Sequence, residues 1–140
     1  MKRLALLAVL ALLAPAAAQA QSGQTDIVFE FETGATTGAV MVALFDSSES
    51  YDAGQPVRAL AVDVAGGETA ATFSGLPAGD YAMRAFHDVN GDGEMNTNPF
   101  GKPIEPYAFS NNARGNMGPA SWDRARFTAS GATTQSIVIR

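Results

Sequence analysis

The chain has 140 residues, with 14 acidic and nine basic side chains, and it contains no cysteine. The excess of negative charge argues against nucleic acid and anionic membrane surfaces as partners, because both repel an acidic protein. Without disulfides, the fold must be held together by apolar burial, with or without a bound metal.

The first 20 residues have the pattern of a secretory signal peptide. Lys2 and Arg3 precede the apolar run 4–13, and the small residues ending at Ala20 form an Ala-x-Ala cleavage site. The apolar run is too short for a membrane span, which takes about 20 residues. We therefore expect a Sec-type signal peptide, residues 1–20, cleaved after Ala20, and a periplasmic or secreted protein. The mature chain, residues 21–140, is predicted to be one domain without a membrane span.

Short strand patterns separated by turn residues fill the mature chain, and no helical period occurs. Residues 25–32 alternate between apolar and polar side chains, whereas residues 39–45 are apolar on both faces, and residues 46–50 form a polar loop. The seven predicted strands are residues 25–32, 39–45, 56–64, 68–73, 81–86, 124–129 and 135–139. This pattern predicts an all-β fold, a seven-stranded antiparallel Greek-key β-sandwich of immunoglobulin-like type, with a long loop between the fifth and sixth strands. A closed barrel is the alternative.

An acidic turn follows the fifth predicted strand and has the spacing of the first half of an EF-type calcium loop. The six residues that can supply oxygen ligands are Asp88, Asn90, Asp92, Glu94, Asn96 and Glu105. Gly93 permits the sharp turn, but Pro99 stands where the loop needs a bidentate glutamate, so a more distant carboxylate must close the shell. The sequence predicts a weak calcium site, with Kd of roughly 10⁻⁴ to 10⁻³ M. The alternative is that these residues only form Asx-turns.

His87 is the only histidine and directly precedes this turn. If Phe86 points inward, the alternation of a strand places His87 in solvent, where it can act as a pH-sensitive group or a transition-metal ligand. One histidine alone makes a poor zinc site. The alternative is a histidine at a strand end that is hydrogen-bonded into the loop.

Three aromatic residues of the long loop and its end, Tyr107, Phe109 and Trp122, form a second candidate site. Such residues stack on sugar rings, but in a small sandwich they also pack in the core or hold a loop against it. Ser110 and His87 are the nucleophile and the general base that a hydrolase could use here. The serine does not stand in the strand–turn–helix motif that activates a catalytic serine. The sequence therefore predicts a protein that is not an enzyme.

Several motifs in this order resemble an exported bacterial family called domain of unknown function 2141. The motifs are residues 76–81 (LPAGDY), 86–93 (FHDVNGDG), 101–103 (GKP), 105–112 (EPYAFSNN) and 118–119 (GP). The resemblance covers nearly the whole mature chain and is densest over residues 76–127. It implies a prealbumin-like β-sandwich and a secreted or periplasmic location, and it implies no activity.

Together these observations predict an exported, non-enzymatic β-sandwich that acts as a binding or structural module of the cell envelope. Its acidic loop is predicted to be stabilised by calcium, and its partner is an unidentified envelope or extracellular ligand. The alternative is a carbohydrate- or peptide-binding domain that uses the aromatic loop 100–122.

Overall fold

The computed structural model describes residues 23–140, and the predicted signal peptide, residues 1–20, lies outside them. The strands are β1 (Gln24–Glu32), β2 (Ala39–Phe45), β3 (Arg58–Asp63), β4 (Ala70–Pro77), β5 (Gly79–Asp88), β6 (Tyr107–Phe109), β7 (Phe127–Ala129) and β8 (Gly131–Val138). Helix α1 (Ser48–Ala53) follows β2, a 3₁₀ turn (Ser110–Asn112) follows β6, and helix α2 (Trp122–Ala125) precedes β7. The all-β prediction is confirmed. The described residues contain eight strands rather than seven, because β6 lies within the predicted long loop.

The strands form two sheets. The small sheet has the order β4-β1-β8, and the large sheet has the order β3-β2-β5-β6, with β7 also pairing with β5. Strands β1 and β8 run parallel, from Thr25 opposite Gly131 to Glu32 opposite Val138, whereas the other pairs are antiparallel. The prediction of a wholly antiparallel fold is wrong at this pair, because the last strand returns beside the first without a hairpin. The Greek-key and prealbumin-like details stay predictions.

The main core is built from side chains of both sheets, as in a sandwich. Phe29 on β1 packs edge-on against Phe73 and Phe127, with ring centroids 6.2 and 5.8 Å away. The larger members of this core are Ile27, Phe29, Phe31, Val40, Val42, Leu44, Val62, Phe73, Leu76, Tyr81, Met83, Ile137 and Ile139. They follow the period of two that the strand geometry imposes, so the opposite face of the large sheet carries a different set of side chains.

The chain between β5 and β7, residues 89–126, is called the covering segment because parts of it pack on the outer face of the large sheet. A second cluster of buried apolar residues joins this segment to β2, α1 and β5. Its members are Phe45, Tyr51, Ala82, Phe109, Ala120 and Ala125, with Trp122 packed against them. The long predicted loop therefore folds back onto the sheet, as its aromatic residues indicate.

Helix α1 corrects the prediction of a polar loop at residues 46–50. Ser47 caps the helix, because its Oγ accepts a hydrogen bond from the Ser50 N–H at 3.1 Å, and Gly54 ends it at a left-handed φ of 66°. The helix buries Tyr51, whose hydroxyl donates to the Ala120 carbonyl at 2.7 Å. Both helices are short, and no helix among residues 23–140 has the length and apolar character needed to cross a bilayer.

Candidate functional site: an apolar groove and an acidic loop

The outer face of the large sheet carries two rows of side chains that cross four strands. The first row is Ala61, Met41, Phe86 and Tyr107, and the second is Ala59, Ala43, Arg84 and Phe109. Residues that pair across neighbouring strands point to the same face, so these side chains form one continuous surface. Strands β2 and β3 supply mostly alanine and β5 and β6 supply large side chains, which leaves a depression over β2 and β3.

Two parts of the covering segment complete the lining and enclose a groove of about 1270 Å³. The first is Met95 with the small hairpin that follows it, residues 96–104, which is closed by backbone hydrogen bonds and has Phe100, 89% exposed, at its tip. The second is residues 115–119, in which Met117 is fully exposed and has a left-handed φ of 59°. Ligand pockets usually measure roughly 300–1,000 Å³, so this groove has room for a large or long molecule.

Arg84 is the one charged side chain in the floor of the groove. Its guanidinium carbon lies 3.9 Å from the ring centre of Tyr51 and 5.4 Å from that of Phe45, which are cation–π distances. Its Nε is buried and has no hydrogen-bond partner among the described residues. Both ion pairs found among residues 23–140 belong to Arg126, so Arg84 has no carboxylate partner there. Burial raises the pKa of the Tyr51 hydroxyl, and the adjacent Arg84 offsets part of that rise, first through hydrogen bonding and then through its charge.

The acidic loop lies at the end of β5 and is organised by the buried carboxylate of Asp88. One of its oxygens accepts hydrogen bonds from the N–H groups of Gly91 and Asp92 at 2.9 and 3.2 Å, and the other accepts from Gly93 at 2.8 Å. Positive φ at Gly91 (74°) and Gly93 (80°) lets these N–H groups turn toward one carboxylate. Asp88 therefore closes the loop as an Asx-type turn.

Three further side chains of the loop bond to one another. The Asn90 amide donates to Asp92 and Asn96 at 3.2 and 2.9 Å, and the Asn96 amide donates to Asp92 at 2.8 Å. Glu105 is buried and its two oxygens accept from the backbone N–H groups of Val89 and Asn96 at 3.1 Å each. The hydrogen bond from Asn96, followed by the one from the Glu94 N–H, lowers the pKa of the exposed Asp92 carboxyl.

Five of the six predicted calcium ligands thus belong to one hydrogen-bonded cluster, while the side chain of Glu94 is exposed and contributes only its N–H. No group of three or more His, Cys, Asp and Glu side chains within residues 23–140 is arranged to hold a metal ion. The structure accounts for the loop by hydrogen bonds, and the calcium site stays a prediction.

His87 points into the main core, so the prediction that it faces solvent is wrong. Its side chain is fully buried, with Nε2 2.6 Å from the Thr37 carbonyl oxygen and Nδ1 without a partner among the described residues. Phe86 lies on the groove side instead. Because the covering segment buries parts of the outer face as well, apolar character on β5 does not indicate which face is inside. His87 has no access to a solvent ligand.

The chain was compared with models of protein families. The model described as "Uncharacterized protein conserved in bacteria (DUF2141)" matches residues 32–137. The chain belongs to this family. The match confirms the resemblance seen in the motifs, and it spans both the groove and the acidic loop. No curated protein and no solved structure matches the chain.

Within this DUF2141 domain, the structure brings together two of the three predicted aromatic residues. Tyr107 and Phe109 both line the groove, with ring centroids 5.9 Å apart. Trp122 does not line it and instead packs on Tyr51 at 5.8 Å. The sequence reasoning missed Arg84, although a single charge inside the apolar run 81–86 is a signal that could have found it.

Ser110 and His87, the pair that a hydrolase would need, bond to other groups. The buried Ser110 Oγ accepts from the Met83 N–H at 2.9 Å and donates to the Ala125 carbonyl. Ser110 therefore links the covering segment to β5.

Proposed function

We propose that this protein is an exported, non-enzymatic binding module of the cell envelope that holds an apolar ligand in the groove on the large sheet. One observation supports this most directly: the outer face of the sheet and the covering segment line a concave, mainly apolar groove with a volume of about 1270 Å³. A concave, mainly apolar groove with a few polar groups is typical of a small-molecule site.

The composition of the lining favours an apolar ligand over a sugar. Arg84 and Lys102 are the charged groups among the lining residues, and the remaining side chains are mainly methionine, aromatic residues and alanine. A sugar ring exposes many hydroxyl groups that need hydrogen-bond partners, and this surface supplies few. Tyr107 and Phe109 belong to the groove, so the alternative of a carbohydrate or peptide ligand concerns the same surface.

Blocking the groove tests the proposal. The neutral fluorescent probe N-phenyl-1-naphthylamine should bind the purified protein saturably at one site. Ala59→Trp fills the alanine half of the floor without disturbing the core, since Ala59 is exposed, and should abolish this binding. Ala132→Trp adds the same bulk to an exposed position of the small sheet and should leave it unchanged. Equal binding by both variants, or no binding by the unmodified protein, would contradict the proposal.

Location in the cell envelope is the second part of the proposal and rests on the N-terminal sequence pattern. Fractionation of the producing bacterium, followed by mass measurement of the purified chain, tests it. We expect an N-terminus at Gln21 in the periplasmic or extracellular fraction. An uncleaved chain in the cytoplasm would refute it.

We further propose that calcium stabilises the acidic loop. The side chains of Asn90, Asp92 and Asn96 already converge to within hydrogen-bond distance of one another. Rotation of the Asn90 and Asn96 side-chain amides would present oxygen rather than nitrogen to a cation. The two orientations of such an amide differ little in shape, so this rotation needs little space. A bound cation would also offset the repulsion between neighbouring carboxylates.

A further inference from the structure

We infer that the ligand of the groove is an aliphatic carboxylate of the fatty-acid type, whose carboxylate pairs with Arg84 while its alkyl chain lies on the apolar floor. The inference rests on the proposed function, since it names the chemistry of a ligand in the same groove. Three independent features of the groove carry it: an unpaired cation, the distribution of charge around it, and the character of the apolar surface.

The first feature is the state of Arg84. Arg84 is a half-buried cation that has no counter-ion within residues 23–140, so it has lost part of its hydration and is stabilised only in part by the Tyr51 and Phe45 rings. The guanidinium carbon lies 3.9 Å from the Tyr51 ring centre and 5.4 Å from that of Phe45, and the Nε–H has no acceptor among the described residues. The planar edge of a guanidinium matches a carboxylate, which can accept two hydrogen bonds from it.

The second feature is the charge distribution. The chain has a net charge of −5, yet the described residues that line the groove include two cations, Arg84 and Lys102, and no aspartate or glutamate. The field of an acidic protein repels anions at long range, so an anionic ligand requires local positive charge. The groove supplies that charge at its floor and on the hairpin 96–104.

The third feature is the surface that meets the rest of the ligand. Met41, Met95 and Met117 contribute flexible thioether side chains, which adapt to irregular apolar shapes, and Phe100 is exposed at the tip of the hairpin. A long, unbranched chain suits such a surface, because it needs no hydrogen-bond partners along its length. The volume of the groove exceeds that of most small-molecule pockets, which favours a long ligand over a compact one.

Competition against N-phenyl-1-naphthylamine tests the inference with four ligands that share a 12-carbon chain. These are laurate, its methyl ester, dodecanol and dodecyltrimethylammonium at one pH, with the two ionic ligands kept below their micellar concentrations and the two neutral ligands below their solubility limits. We expect laurate to bind at least about 10-fold more tightly than the three others. Arg84→Met should remove this preference by weakening laurate about 10-fold, equivalent to 1.4 kcal/mol, while leaving the methyl ester unchanged. Arg84→Lys should retain part of it.

Arg58→Met is the matched control. Arg58 pairs with the core residue Leu44 and so lies on the opposite side of the sheet from the groove, and its replacement changes the net charge by the same amount. It should leave laurate binding unchanged. Thermal unfolding of each variant verifies that it folds. If Arg84→Met does not fold, comparing laurate with its methyl ester on the unmodified protein still shows whether the groove prefers a carboxylate.

The outcomes separate the inference from the proposed function. Equal affinity for laurate and its methyl ester, or a preference for the ammonium, overturns the carboxylate and leaves the groove as an apolar binding site. Failure of the probe and of all four ligands to bind overturns both. Loss of stability in Arg84→Met without a change in ligand preference shows that its contacts with Tyr51 and Phe45 are its whole role and also overturns the inference.

Discussion

The hydroxyl of Ser110 joins three parts of the fold, and its removal should destabilise the protein strongly. Strand β6 pairs with residues 84–86 of β5 and β7 pairs with residues 79–81, so Met83 lies between the two paired stretches. Ser110, which follows β6, accepts from the Met83 N–H and donates to the carbonyl of Ala125 just before β7. The serine is fully buried, so water cannot replace it.

Ser110→Ala leaves one buried donor and one buried acceptor without a partner. Each such group costs about 1–3 kcal/mol, and the carbonyl less than the N–H because it keeps a second acceptor position, so we expect a loss of about 2–4 kcal/mol. A domain of this size has an unfolding entropy of about 0.25 kcal/mol/K at Tm, which converts this loss to a fall of about 8–16 °C.

Urea unfolding followed by circular dichroism measures this loss directly. The exposed Ser74→Ala on β4 serves as control and should change stability by no more than about 0.5 kcal/mol. A loss below about 1 kcal/mol in Ser110→Ala, with an unchanged dependence on urea, would refute the reasoning, since the bridge would then stabilise the fold no more than a surface hydroxyl does.

Three further predictions concern the loops and the second core. Gly38 has a φ of 68°, and a Cβ at this position would overlap the Asp88 carbonyl oxygen. Gly38→Ala should therefore lower the free energy of unfolding, measured in urea, by at least about 2 kcal/mol. Gly34→Ala is the control and should lower it far less, because a Cβ at Gly34 meets no neighbour. Calcium at about 100 times its Kd should add about 2.7 kcal/mol to the free energy of unfolding, which raises Tm by about 10 °C relative to the protein in chelator. Both Asp88→Ala and Asp92→Ala should lose this rise. If the unmodified protein has the same Tm in calcium and in chelator, the loop is a turn and not a calcium site. Burial raises the pKa of Tyr51 above its ordinary value of 10.0, so the neutral hydroxyl contributes fully to the free energy of unfolding below pH 10. This contribution is lost as the pH rises further, because Tyr51 ionises first in the unfolded chain. The fall of stability with pH above 10 should be shallower in Tyr51→Phe, and identical slopes would contradict this.

The predicted strand at residues 124–129 was wrong over its first part, where helix α2 forms instead. Strands β1 and β2 were predictable, because β1 alternates with a period of two and β2 is a short apolar run, and both signals are local. The pairing of β1 with β8 was not, because nothing in residues 25–32 indicates which distant strand lies beside them. Helix α1 has the capping residues Ser47 and Gly54, but it is too short to show a helical period.

The sequence predicted the residues of the acidic loop, which local turns bring together, and missed the groove, which depends on how the strands and the covering segment pack. The oxygen-rich residues around Asp88 converge because glycine and Asx-turns act within a few positions of the chain. The orientation of His87 was predicted wrongly, since both faces of β5 are covered and alternation gives no sign of which is inside. The groove could not be seen in the sequence at all, because its floor consists of residues from four strands whose register is a property of the assembled sheet.

The parallel pairing of the first and last strands determines how the domain carries mechanical load. Because β1 and β8 run in the same direction over eight paired positions, the N-terminal end of β1 and the C-terminal end of β8 lie at opposite ends of the pair. A pull applied through the two ends of the domain therefore acts along the strands, and the hydrogen bonds between them must break together rather than one after another. A domain held at one end and loaded at the other would resist extension in shear, which a terminal hairpin pulled apart from its open end cannot do.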